Sequence, residues 1–154
     1  MSNYKGHLVG GAVTFTGLYF GLTALRGALP SGWIELLGIT LFASLFPDID
    51  TKSKIQMSTY RVLFVLFIVL FWFGYYQVMA LGAIMLLVPL VVHHRGLTHQ
   101  RWFLIALPLA VAAIVYHYAP AQGARALCDA LFFIAGAFSH LVLDVGIKRV
   151  IRLR

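Results

Sequence analysis

Apolar residues in this chain gather into long runs broken by short polar clusters, a pattern of membrane spans rather than of half-buried soluble helices. The first run, Leu8 to Leu25, closes at Arg26, Gly27 and Pro30. Lys5 precedes it as in a signal peptide, but the run exceeds a signal core and no small-x-small cleavage site follows, so a retained span is expected. A shorter helix is expected from Ile34 to Phe46, stopped by Pro47, with Trp33 as an interfacial anchor and Glu35 as its first-turn acid. Pro47 to Thr59 (PDIDTKSKIQMST) is the sizeable polar stretch. Tyr60 to Val92 gives 33 almost continuously apolar residues, too many for one span and enough for two, with a hairpin at Gly74, Tyr75, Tyr76 and Gln77. After the polar cluster His93–Arg101 (HHRGLTHQR) come a fifth span, Trp102 to Tyr118, a loop over Pro120–Arg125, and a sixth span, Ala126 to Val145, before a basic tail. The expected fold is all-α: one domain, residues 1–154, with about six short transmembrane helices in a single bundle.

Composition supports a chain facing lipid. It is 61% hydrophobic and 11% charged, against about a quarter charged in soluble domains. The net charge of +7 does not point to nucleic acid, because the basic residues lie between apolar runs and form no aromatic-interleaved stripe. Six spans put both termini on one side. Lys5, Lys52, Lys54, Arg61, Arg95, Arg101, Lys148, Arg149, Arg152 and Arg154 then share that side, leaving Arg26 and Arg125 opposite. By the positive-inside bias the termini of this multi-pass protein are expected in the cytoplasm. Cys128 is alone, which excludes an intrachain disulfide and a cysteine-based zinc site. Nothing in the pattern fixes an oligomeric state.

The same topology sorts the ionisable residues. His7, Asp48, Asp50, His93, His94, His99, His140 and Asp144 come from four separate stretches, and all fall on the cytoplasmic side. Glu35 and Asp129 fit helix-start acids opposite, and His117 fits an aromatic belt between Tyr116 and Tyr118. His140 and Asp144 are four apart on a helix, so they share one face and can hold one ion or two adjacent ions. Asp48 and Asp50 follow Pro47; proline disfavours helix in the residue before it, and an extended D-x-D sets both carboxylates on one side as a hard-oxygen site. In HHRGLTH, Gly96 allows a turn and Thr98 can cap the next helix, so His94 and His99 would face each other with Arg95 beside them. His93 is the weaker ligand of its pair, because neighbours on a helix point about 100° apart. Arginine among metal ligands suits an anionic substrate.

A histidine ahead of LVGG, then FPDID, HHRGLTH and FSHLVLD, in that order along nearly the whole chain, resembles the LexA-regulated, membrane-bound metal-dependent hydrolase family of bacterial inner-membrane proteins. The resemblance carries over to His7, Asp48, Asp50, His94, Arg95, Thr98, His99, Ser139, His140 and Asp144; Gln100 departs from it at a helix-cap position. It implies a divalent-metal hydrolase. Mixed histidine and carboxylate donors favour zinc, with manganese or magnesium possible. Expected ligands are His7, Asp48, His94, His99, His140 and Asp144; Asp50 is the general base and Arg95 neutralises charge on the substrate. The H-x-x-x-D element is also similar to ligand pairs of zinc phospholipases C, which ranks a phosphoester of a membrane lipid, an anionic lipid-like substrate, first. A metal or proton transporter is the alternative, but transport sites lie near the midplane with polar residues along a path, and here the helix middles are nearly bare. Haem between paired histidines needs no carboxylates beside them.

Overall fold

The computed structural model describes residues 4–50 and 100–145, side chains at 49, 50 and 145 apart, with eight isolated positions between 61 and 74. Every described element is helical: α1 (Tyr4–Arg26), α2 (Trp33–Leu45), α3 (Arg101–Tyr118) and α4 (Gly123–Val145), with 3-10 turns over Phe46–Asp50 and Pro120–Gln122. The chain divides into two compact units, Met1–Pro47 with His99–Arg154, and Asp48–Thr98.

The long apolar runs become the long helices. Tyr4–Arg26, Arg101–Tyr118 and Pro120–Asp144 are long and apolar enough to cross a membrane by length and composition. That is three candidate spans among the described residues, fewer than the six expected. The second expected span is only the 13-residue α2, which rises about 20 Å and falls short of a hydrocarbon core of about 30 Å. The third and fourth, Tyr60 to Val92, fall largely outside the described residues. In the second unit, described positions from 61 to 72 are helical and Gly74 turns at φ 75°, its N–H 3.1 Å from the Phe71 carbonyl.

Two local expectations are corrected. Phe46–Asp50 is a 3-10 turn rather than an extended segment. Proline's fixed φ is compatible with a helical turn near its start, and at three residues per turn positions i and i+2 do not share a side. The loop after α3 is also shorter, because a 3-10 turn over Pro120–Gln122 leads straight into α4 at Gly123. Arg125 is therefore helical, and Asp129 lies more than a turn inside α4 rather than at its start.

In the first unit α4 packs against α1, α2 and α3, and α1 also packs against α2. Burial of Leu36, Cys128 and Phe132, with Phe15, Leu18, Tyr19, Leu22, Leu29 and Ile39 against them, forms the core. A second cluster packs Phe42, Phe46 and Phe133 through tilted and edge-on ring contacts. The start of α2 meets the start of α4, and the end of α2 meets the end of α4, so these two run parallel and α1 runs antiparallel to both.

The start of the parallel pair carries two polar ties. Arg125 Nη2 donates to Glu35 Oε2 at 2.6 Å, with both side chains a third or more exposed. Ser31 Oγ, on a buried residue, donates to half-buried Asp129 Oδ1 at 2.6 Å. Their energies should differ. Arg125→Ala is expected to cost under about 1 kcal/mol, since solvent screens an exposed pair, whereas Ser31→Ala should cost about 1–3 kcal/mol, because it strips the donor from a half-buried carboxylate. Thermal unfolding of the two variants in detergent checks the order; equal losses would mean that the Ser31 bond is not a significant tie.

Candidate metal centre

His7 lies one turn into α1, and His140 and Asp144 lie on the last turns of α4. The two imidazoles are 1% and 0% exposed, an unusual place for histidine unless its nitrogens are used. The rings stack with centroids 3.9 Å apart and an 18° tilt. His7 Nε2 is 3.5 Å from Asp144 Oδ1, and His140 Nε2 is 3.4 Å from Asp144 Oδ2. Both distances exceed the 2.7–3.2 Å of a good N–H···O hydrogen bond. They match something else. Donors about 2.0–2.1 Å from a tetrahedral zinc are separated by about 3.4 Å along each edge.

One ligand atom from each of His7, His140 and Asp144 lies within 4.8 Å of the others. Two imidazoles and a carboxylate are a donor set of catalytic zinc sites with three protein ligands. The three residues therefore fit the expected metal in donor type, and their ligand atoms gather within 4.8 Å, the two short His–Asp distances going to different oxygens of Asp144. His140 is also oriented as a ligand needs to be. Its Nδ1 lies 2.9 Å from the Ser44 carbonyl oxygen; a carbonyl only accepts, so Nδ1 carries the hydrogen and Nε2 faces Asp144. His7 differs, because its buried Nδ1 has no hydrogen-bond partner among the described residues, and no such neighbour fixes its tautomer.

Small residues make this convergence possible. A Cβ on Gly136, one turn before His140, would lie 2.4 Å from the Thr40 carbonyl oxygen and 3.0 Å from Ala43 Cβ. On Gly11, one turn after His7, it would lie 2.8 Å from Ser44 Oγ. Backbones this close are the small-residue packing of membrane helices. The hydroxyls beside the site serve their own helices: Ser44 Oγ donates to the Leu41 carbonyl and Ser139 Oγ to the Gly136 carbonyl.

Of the residues expected at the site, the structure brings together His7, His140 and Asp144. Asp48 is half-buried in the 3-10 turn and belongs to the second unit. The Asp50 side chain, His94, Arg95, Thr98 and His99 lie outside the described residues. Gln100 is the N-cap of α3, but its side chain accepts from the Trp102 indole instead of capping backbone. His117 ends α3, its ring edge-on to exposed Tyr118. The Ser44 carbonyl, Gly11 and Gly136 are contributions that side-chain chemistry alone does not reveal. Their available signal is the spacing of small residues by one turn from each other and from the histidines.

An apolar helical unit holding two buried histidines and a carboxylate across antiparallel helices defines a helical membrane protein with a candidate metal centre. The chain belongs to the YdjM inner membrane protein family, whose model matches residues 1–153. That description gives a location and no reaction. No curated protein and no solved structure matches the chain.

Proposed function

We propose that this protein is a membrane-embedded, metal-dependent hydrolase that cleaves a phosphoester at the cytoplasmic face, a lipid phosphate or a phospholipid head group. The observation that carries this reading is the convergence of His7 with His140 and Asp144, more than a hundred positions away in the chain, into a donor set for zinc or manganese. The proposed topology keeps six spans with cytoplasmic termini. Parallel α2 and α4, both antiparallel to α1, are compatible with it, as with any topology that places an odd number of alternating helices between them.

His7, His140 and Asp144 would hold the divalent ion, which would supply Lewis acidity at this face of the unit. The remaining roles rest on the motif resemblance. Asp48, His94 and His99 complete the ligand set, Asp50 accepts the proton from water, and Arg95 neutralises charge on the phosphoryl oxygens. Near-complete burial of both imidazoles lowers the local dielectric and strengthens the electrostatic interactions that these two rings make.

Elemental analysis of detergent-purified protein tests the reading, with wild type beside His140→Ala and Asp144→Ala. Stoichiometric zinc or manganese in wild type, lost in both variants, is the expected result. The loaded protein should then release phosphate or a head group from phospholipid or polyprenyl-phosphate micelles. Folded wild type that takes up no divalent metal would sink the metal centre, and a loaded protein inert toward every phosphoester lipid would sink the hydrolase.

A further inference from the structure

The carbonyl that holds His140 occupies a special place in the backbone. Ser44 is the penultimate residue of α2, within the last turn, where carbonyls lose their intrahelical donors. The chain leaves the helix by tightening into a 3-10 turn, and the Phe46 N–H already bonds the Ala43 carbonyl three residues back. The next donor in such a ladder belongs to residue 47 and would aim at the Ser44 carbonyl. Residue 47 is proline and has no N–H to give. His140 Nδ1 lies 2.9 Å from that same oxygen. The negative end of the α2 dipole favours an N–H donor there, and Pro47 itself is fully buried, which fixes the turn in place.

We infer that Pro47 is a positioning residue for the site: by withholding a backbone N–H, it reserves the Ser44 carbonyl for His140 and so locks the tautomer that presents Nε2 to Asp144 and His7. Its value to the reaction rests on the metal-centre reading above, while the tautomer lock itself exists with or without metal. The lock matters because an imidazole binds a cation only through the nitrogen that lacks hydrogen, and partners that fix this choice typically contribute 10–100-fold in metal affinity.

The test uses the full chain in detergent with histidine nitrogens labelled by ¹⁵N. In metal-free wild type, long-range proton–nitrogen spectra should show His140 with hydrogen on Nδ1 and a bare Nε2. Pro47→Ala restores an N–H that competes for the Ser44 carbonyl. It should yield mixed tautomers at His140 and a zinc affinity on the order of 10–100-fold weaker, with helical content by circular dichroism unchanged. A wild-type His140 carrying its hydrogen on Nε2 overturns the inference, and this reading needs no variant to fold. So does a folded Pro47→Ala protein with wild-type tautomer and wild-type affinity. Wild type locked at Nδ1–H that binds no zinc would keep the lock between carbonyl and histidine and remove the metal centre, while Pro47→Ala tautomers still decide the proline link, so the two failures are distinct.

Discussion

Gly136→Ala is expected to destabilise the protein by about 1–3 kcal/mol and to weaken metal binding in the same variant. The added methyl would lie 2.4 Å from the Thr40 carbonyl oxygen and 3.1 Å from its carbon. Those are backbone atoms of a packed helix, so the clash is relieved only by moving α4 away from α2. His140 lies one turn further along α4 and reaches the Ser44 carbonyl on α2, so a displacement that relieves Gly136 lengthens that bond as well. Two neighbours serve as controls. A Cβ on Gly10 meets mainly the Leu143 Cδ1 end, which can swing aside, and on Gly17 it meets nothing within 4 Å. Gly17→Ala should therefore be neutral or stabilising by about 0.5–1 kcal/mol through helix propensity. Thermal midpoints and bound metal measured on the three variants decide the matter. Gly136→Ala matching wild type would show that the α2–α4 contact is looser than this packing requires.

Zinc is expected to stabilise the wild type strongly and two variants not at all. A ligand that binds only the folded state stabilises it by about 4 kcal/mol at a thousandfold excess over its dissociation constant. Chelator-treated wild type should therefore gain several degrees in thermal midpoint on zinc addition. His7→Ala and Asp144→Ala each remove a donor from the set within 4.8 Å and should lose the response. The measurement separates coordination from packing. If the site were only a buried polar contact, the variants would start at lower midpoints and wild type would gain nothing from zinc.

The sequence made the long helices and the chemical types at the site legible, and the reasons are physical. Continuous apolar runs closed by Arg26–Gly27 or opened after Gln100 leave little choice of ends, so α1 and α3 fall within a few residues of expectation. His140 and Asp144 announce themselves because ionisable groups within an apolar helix are costly, and the four-residue spacing fixes their common face. His7 was less visible alone; the alternation of spans places it at the same end. Other features depend on tertiary contact. Glu35 pairs with Arg125 and Ser31 with Asp129 across some ninety residues or more, and no local pattern encodes that partnership. The Ser44 carbonyl is invisible for a different reason, since every residue has one and its availability depends on how the helix ends. The length of α2 was legible, its 13 residues shifted by one from the expected Ile34 to Phe46, but apolar content alone does not distinguish a short helix from a span.

The α2–α4 pair has a dynamic consequence. It is tied at its start by Ser31 to Asp129 and at its end by His140 to the Ser44 carbonyl, with Gly136 seated on Thr40 between them. Sliding either helix along the other would break both ties together and drive Gly136 out of its seat. Shear between these two helices, a common way for packed helices to open a cleft, is therefore opposed by all three contacts. Opening of this unit is expected at the contacts around this pair, with His140 and Asp144 held still on it.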